Sequence, residues 1–410
     1  MSSDLFRKSV LNRLPAMPPT RAPWAEGDED EDTMEQLAEE EEGLSDISAL
    51  PSQGSTSNPS RSSKASMFAS SDLSPISPAT YFAQALQVNP EGYPCTFRVY
   101  YTPSTLSATS QTSDGGKKAS LLVCHHGAGS SGTTFSALAK EVQEKSKGEL
   151  GVLAFDARGH GKTTTEDGTK ELELSFDNLQ RDFLAMICQI FPDPTESPDL
   201  VLLGHSMGAS PIISSAPILQ KRGYKVVGVI VLDVVEGTAV EALPLMRSIL
   251  SQRPTKFRSV EGAIDWHLTS GAVRNKESAR VSVPSLVVPK PGRADGSLDV
   301  IWRTDLMATS SFWEEWYLHL SSHFLAARSG KLLVLAGQER LDKELMIGQM
   351  QGKFQLEVLP DVGHYLHEDK PERLAGVLVA FWKKNTSVLV LPPKVGSAGY
   401  MQKLKMVGDP

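Results

Sequence analysis

Leu200-Val201-Leu202-Leu203-Gly204-His205-Ser206-Met207-Gly208 is the stretch on which the fold of this 410-residue chain turns. Four apolar residues with no polar alternation suit a strand buried on both faces. They run directly into G-x-S-x-G, and the segment 207–221 that follows reads as a helix opened by small residues. A serine on a sharp strand-to-helix turn has neighbours within van der Waals reach, so both flanking positions need glycine. The turn lifts Oγ above the sheet, and the amides that follow point toward a substrate oxygen. The five-residue pattern recurs by chance in many chains. Its place between a buried strand and a helix is what gives it meaning.

Similar apolar runs recur outward from this point, at 119–124, 151–155, 226–232, 331–335 and 354–359. Helix-length segments at 134–146, 176–190 and 371–384 separate most of them. Strand–helix–strand repetition predicts an α/β fold, a mostly parallel sheet with helices on both faces. In such sheets the functional groups gather at the carboxyl ends of the strands. The interval 237–328 breaks the rhythm: no strand is evident, and it holds four of the six tryptophans, Trp266, Trp302, Trp313 and Trp316. It reads as a helical lid. Most of its aromatics should pack the lid onto the body, and some could line a groove for an extended ligand.

The net charge of −8 is unevenly placed. Residues 26–46 hold twelve acidic side chains and no basic one, whereas the body from 81 onward is neutral. A neutral body argues against a nucleic-acid face, which needs clustered Lys and Arg. No window has the roughly 18 apolar residues of a membrane span. Residues 1–78, rich in Ser, Pro and acid, read as a disordered region, 79–385 as the folded domain, and 386–410 as a flexible tail. Cys95, Cys124 and Cys188 are too few and scattered for a disulfide framework or a zinc site, which favours cytosol or nucleus.

A serine hydroxyl needs a base and an oxyanion site to act as a nucleophile. His125-His126-Gly127-Ala128-Gly129 follows the strand at 119–124, and the Ala128 amide could pair with that of Met207 around an oxyanion. The base should come last along the chain, where His364 and His367 compete in Gly363-His364-Tyr365-Leu366-His367. His364, nearer the strand, is the one expected to swing over Ser206. Three acids are open: Asp233 after the strand at 226–232, Asp342 after that at 331–335, and Asp156 after that at 151–155. Spacing slightly favours Asp342, and Asp156 looks like part of a structural turn. The acid fixes the imidazole tautomer and stabilises the imidazolium.

Several further stretches resemble the protein phosphatase methylesterase family of α/β-hydrolases. They are Leu232-Asp233-Val234-Val235-Glu236-Gly237-Thr238-Ala239, Arg274-Asn275-Lys276-Glu277-Ser278-Ala279-Arg280, Gly337-Gln338-Glu339-Arg340-Leu341-Asp342-Lys343 and Ile347-Gly348-Gln349-Met350-Gln351-Gly352-Lys353-Phe354. The resemblance covers about 79–384. It implies an α/β-hydrolase fold and a triad of Ser206, Asp233 and His364, which moves the acid from Asp342 to Asp233. It also implies a serine carboxylesterase, without metal or organic cofactor, that demethylates the C-terminal leucine of the type 2A phosphatase catalytic subunit. The phosphatase and its holoenzymes would be its partners, and the triad could be misaligned until they bind. Ala209 and Ser210 depart from the family pattern, as does a short lid around 289–300 where relatives can carry an acidic insert. A general small-ester hydrolase and a non-catalytic phosphatase-binding scaffold are the alternatives.

Overall fold

A computed structural model of the chain describes residues 72–106, 118–166, 168, 171–290, 299–337 and 341–386. The acidic run at 26–46 lies outside the described residues, as does the tail expected over 386–410 except for Thr386, which closes the last helix. The strands are β1 Gln84–Val88, β2 Cys95–Thr102, β3 Ser120–His125, β4 Leu150–Phe155, β5 Thr164–Thr165, β6 Asp199–His205, β7 Val226–Leu232, β8 Val287–Pro289, β9 Val300–Trp302, β10 Gly330–Leu335 and β11 Gln355–Val358. The helices are α1 Ser136–Ser146, α2 Phe176–Ile190, α3 Ala209–Lys221, α4 Glu236–Glu241, α5 Leu243–Gln252, α6 Val260–Thr269, α7 Lys276–Ser282, α8 Leu320–Ala326, α9 Lys343–Met350, α10 Leu366–Asp369 and α11 Pro371–Thr386.

The main sheet runs β1-β2-β4-β3-β6-β7-β10-β11, with β5 beside β2. From β4 to β11 every pairing is parallel, while β1–β2 and β2–β4 are antiparallel. All six strands expected from their apolar runs form. β1 and β2, which the apolar-run criterion passes over, form the antiparallel edge. In β2 the residues alternate, Cys95, Phe97 and Val99 buried and Thr96 and Arg98 half-buried, so the strand lacks the continuous run that marks a doubly covered one.

The central strands β3, β4, β6 and β7 are buried at every residue. One face carries α2 and α3, with Phe183, Ile187, Ile212 and Leu219 in the core. The other carries α1 packed on α11, with Leu138, Val142, Leu374 and Phe381. Because β6 lies beside β3 rather than β4, the chain reverses its winding between β3 and β6. That switch point opens a crevice at the carboxyl edge, where loops from the two strands leave toward opposite faces.

The interval expected to form a helical lid is not purely helical: β8 and β9 pair within it as antiparallel strands. It has a small core of its own, Phe257, Ile264, Val273, Val283, Val287 and Val300. Trp313 and Trp316 are fully buried against the body, and the Trp316 indole donates to the Leu174 carbonyl at 2.7 Å. These two tryptophans attach the lid, as expected of most of its aromatics. Trp266 and Trp302 instead meet one another, Phe257 and His267 inside the lid, mostly edge to face. The expected boundary at 78/79 also moves. Arg280 of α7 pairs with Asp72 at 2.8 Å and donates to the Ser74 carbonyl, and the Ile76 amide donates to the Arg280 carbonyl. The lid thus begins to hold the chain at residue 72.

Candidate active site

Four loops meet at the carboxyl edge. In register, His125 at the end of β3 lies opposite Gly204, and His205 at the end of β6 lies opposite Leu232 of β7. Ser206 stands at the turn into α3 with φ of 50°, a left-handed backbone that a residue with a Cβ adopts only where its surroundings enforce it. The two glycines explain the enforcement. A Cβ at 204 would overlap the Gly208 carbonyl and the Ala209 Cα, and one at 208 would lie 2.6 Å from the His125 carbonyl oxygen. The strand and helix can approach this closely only without those atoms. Ala209 and Ser210, the departures noted above, are buried in the first turn of α3 and leave this contact intact.

Asp233 follows β7 and also has a left-handed backbone, φ 51°. Its amide donates to the Val334 carbonyl at 2.8 Å, and its Oδ1 accepts from the Ala336 amide at 2.7 Å. The chain at the end of β10 therefore holds the Asp233 backbone through Val334 and its carboxylate through Ala336. Oδ2 is left to receive His364 Nδ1 at 2.8 Å. With Nδ1 donating to a carboxylate, Nε2 is the ring nitrogen available to a serine hydroxyl. His364 is held in turn through its backbone, because its carbonyl accepts from His205 Nε2 at 2.9 Å.

The competing residues have other tasks. Asp342, preferred on spacing, caps α9 by accepting from the Leu345 amide at 2.9 Å and is hydrogen-bonded by the Ser321 hydroxyl. A carboxylate committed to a helix N-terminus in this way is not aimed at the imidazole, whereas Asp233 is. Asp156 accepts from the Gly132 and Lys162 amides, both at 2.8 Å, and organises the turn after β4; burial pushes its pKa up to about 6. His367 is fully buried, stacked on Phe135 and beside His205, and burial pushes its pKa down to about 3.

The loop after β3 lies against the elbow. A Cβ on Gly127 would fall 2.8 Å from His205 Nδ1 and 3.1 Å from the Ser206 Cβ, so the backbone carrying Ala128 passes directly beside the Ser206 side chain. Leu306 of the lid covers Gly129, and the Thr304 hydroxyl donates to the Gly159 carbonyl at 2.7 Å. Tyr317, buried in the lid, is a site residue that sequence reading missed. Burial pushes its phenol up, while a hydrogen bond with the Ser206 side chain works the other way. Nothing local marks Tyr317, because its proximity to Ser206 arises only when the lid folds back. Among the described residues, no cluster of His, Cys, Asp and Glu could hold a metal ion.

A left-handed serine after the central strand, a His–Asp pair on later loops and a parallel sheet reversing at β3/β6 define an α/β-hydrolase with a serine nucleophile elbow. Residues 122–377 match the alpha/beta hydrolase family. The fold is shared with solved structures: E-2-(acetamidomethylene)succinate hydrolase (TM-score 0.53, 17% identity, 73% of this chain and 99% of that one) and an alpha/beta hydrolase from Novosphingobium aromaticivorans (0.50, 17%, 73% and 97%). Sequence carries the likeness further. The chain is 55% identical over 416 residues to protein phosphatase methylesterase 1 of Cryptococcus neoformans, covering 97% of this chain and 96% of that protein. It is 42% identical over 415 residues to the protein of that name from Aspergillus fumigatus (98% and 94%), and 44% over 282 residues to that from Schizosaccharomyces pombe (69% and 80%). The chain belongs to the protein phosphatase methylesterase family.

Proposed function

We propose that this hydrolase is a serine carboxylesterase that removes the methyl ester from the C-terminal leucine of the type 2A phosphatase catalytic subunit. The observation that carries the reading is the 2.8 Å bond between His364 and Asp233 on loops flanking a left-handed Ser206. His364 Nε2 takes the Ser206 proton as Oγ attacks the ester carbonyl. The amides of Met207 and Ala128 hold the oxyanion, and His364 returns the proton to the departing methoxy oxygen, releasing methanol. Water then attacks the acyl-enzyme with His364 again as base, and the leucine leaves as a carboxylate while Ser206 regains its proton. Every group the reaction needs is a side chain or amide of this chain, so no cofactor enters the scheme.

The neutral body suits an uncharged ester at a peptide terminus, and the phosphatase and its holoenzymes are the partners the family relationship supports. The reducing cytosol or nucleus, where its three thiols stay free, is the compartment proposed. Incubating methylated phosphatase with wild-type protein should remove one methyl group per catalytic subunit by mass spectrometry, and Ser206→Ala should remove none. Turnover of short p-nitrophenyl esters with the phosphatase left methylated would instead identify a general esterase. Demethylation that persists in Ser206→Ala would refute the serine mechanism.

A further inference from the structure

The loop that carries Ala128 is held by two buried imidazoles, neither of which touches the triad's hydrogen bonds. His126 Nε2 accepts from the Ala157 amide at 2.9 Å. A backbone N–H can only donate, so in the neutral ring the proton sits on Nδ1, which then donates to the Gly127 carbonyl at 2.8 Å. His160 repeats the arrangement. Its Nε2 accepts from the Gly129 amide at 2.9 Å, and its Nδ1 donates to the Arg158 carbonyl at 2.7 Å. The two rings are fully buried and meet edge to face, with centroids 4.9 Å apart.

What they hold is the pair of peptide planes on either side of Ala128. The Ser130 amide donates to the Gly127 carbonyl at 3.2 Å, closing a turn. Gly129 has φ of 70° while Ala128 is not left-handed, the signature of a type II turn. The Gly127 carbonyl and the Ala128 N–H belong to one planar trans peptide, so they point in opposite directions. Fixing the carbonyl toward His126 therefore fixes where the Ala128 N–H points. His160 does the same for the next plane, the one that separates type II from type I turns.

We propose that His126 is a positioning residue for ester cleavage: by holding the Gly127 carbonyl it aims the Ala128 amide at the oxyanion beside Ser206. The proposal rests on the reading of Ala128 as an oxyanion donor. Without the Nδ1–H bond the peptide is held by the longer Ser130 bond alone, and part of the population turns its N–H away. The lost interaction exists only in the transition state, so kcat falls and KM does not.

Three variants of the full chain test this on methylated phosphatase, with rates corrected to folded protein by circular dichroism. His126→Leu removes both nitrogens. His126→Asn places an amide N–H near the Nδ1 position, and His126→Gln places its amide near Nε2 and leaves the Gly127 carbonyl without a partner there. The expected order is Asn within a few-fold of wild type, with Gln and Leu down in kcat by between about 10-fold and the roughly 10³-fold that loss of a whole donor costs. KM should stay within about threefold throughout. If Leu does not fold, the Asn–Gln comparison still decides. Equal kcat in all folded variants, or Gln faster than Asn, overturns the proposal. The same series is read by the rate at which a fluorophosphonate labels Ser206, which needs the oxyanion site but no phosphatase. Wild type that labels without demethylating would sink the phosphatase reading alone, and the labelling order would still judge His126. Wild type that does neither overturns both.

Discussion

At the scale of single residues, the site is made by groups whose freedom has been removed. Asp233 uses Oδ1 on the Ala336 amide and Oδ2 on His364, so its carboxylate cannot rotate without breaking one of the two bonds. Asp233→Asn preserves the shape but presents an N–H donor either to the Ala336 amide or to His364. Turned toward His364, the amide would demand an acceptor at Nδ1 and shift the proton to Nε2, the wrong tautomer for taking the serine proton. A fall of about 10³- to 10⁴-fold in kcat is expected, with KM little changed. Steady-state kinetics at neutral pH would check it, and a loss under tenfold would return the acid's role to another residue.

At the scale of elements, the histidine loop is tied to the lid. Asp369, at the end of α10, accepts from the Gly363 amide through Oδ2 at 2.7 Å and from the Arg274 amide through Oδ1 at 2.8 Å. Gly363 immediately precedes His364, and Arg274 immediately precedes the Asn275 cap of α7, whose side chain accepts from the Glu277 and Ser278 amides. One carboxylate thus joins the loop carrying His364 to the lid's helix start. Asp369→Ala strands two amides, at a cost of roughly 1–3 kcal/mol each where they are buried. It should lower the melting temperature by several degrees and kcat by about tenfold, since His364 loses the anchor of its preceding residue. Differential scanning fluorimetry beside kinetics tests both parts; unchanged kcat with a lowered melting temperature would mean that the clamp serves the lid alone.

At the scale of the whole molecule, histidine burial governs the response to acid. Six of the nine histidines, His125, His126, His160, His205, His267 and His367, are buried and held neutral. Burial pushes His125, His160 and His267 down to about 4, and His126 and His205 well below the ordinary value of 6.5. In the unfolded chain these rings take up protons near 6.5. Between there and about 4 the unfolded state therefore binds more protons than the folded one, and acid favours it. The stability the neutral rings contribute is whole above that range and drains away as pH falls. Asp156, raised to about 6, Glu368, raised well above its ordinary value, and Asp369 and Glu315, also raised by burial, work in the opposite sense, contributing most when protonated. Six rings outnumber these four acids, so the melting temperature should drop as pH goes from about 7 to about 5, by a few degrees per unit for each net proton. A flat profile over that range would show that the rings are not held neutral in the folded protein.

The sequence alone determined what local chemistry can encode. Apolar runs marked six strands of the sheet, four of them buried at every residue, and G-x-S-x-G between strand and helix marked Ser206, because a nucleophile elbow needs glycines where two backbones touch. His364 was legible from its order after the last strand. The acid was not, since Asp233 and Asp342 both follow strands, spacing slightly favoured Asp342, and only the family resemblance pointed to Asp233. Tertiary structure separates them by physical means: Asp342 is occupied at a helix N-terminus, while a left-handed turn, the Val334 carbonyl and the Ala336 amide hold Asp233 with its free carboxylate oxygen toward the imidazole. The lid's strand pair, the contact between Tyr317 and Ser206 and the imidazole brackets around Ala128 join residues far apart in the chain. Such contacts have no local period or spacing to read, and exist only once the sheet and lid have closed over one another.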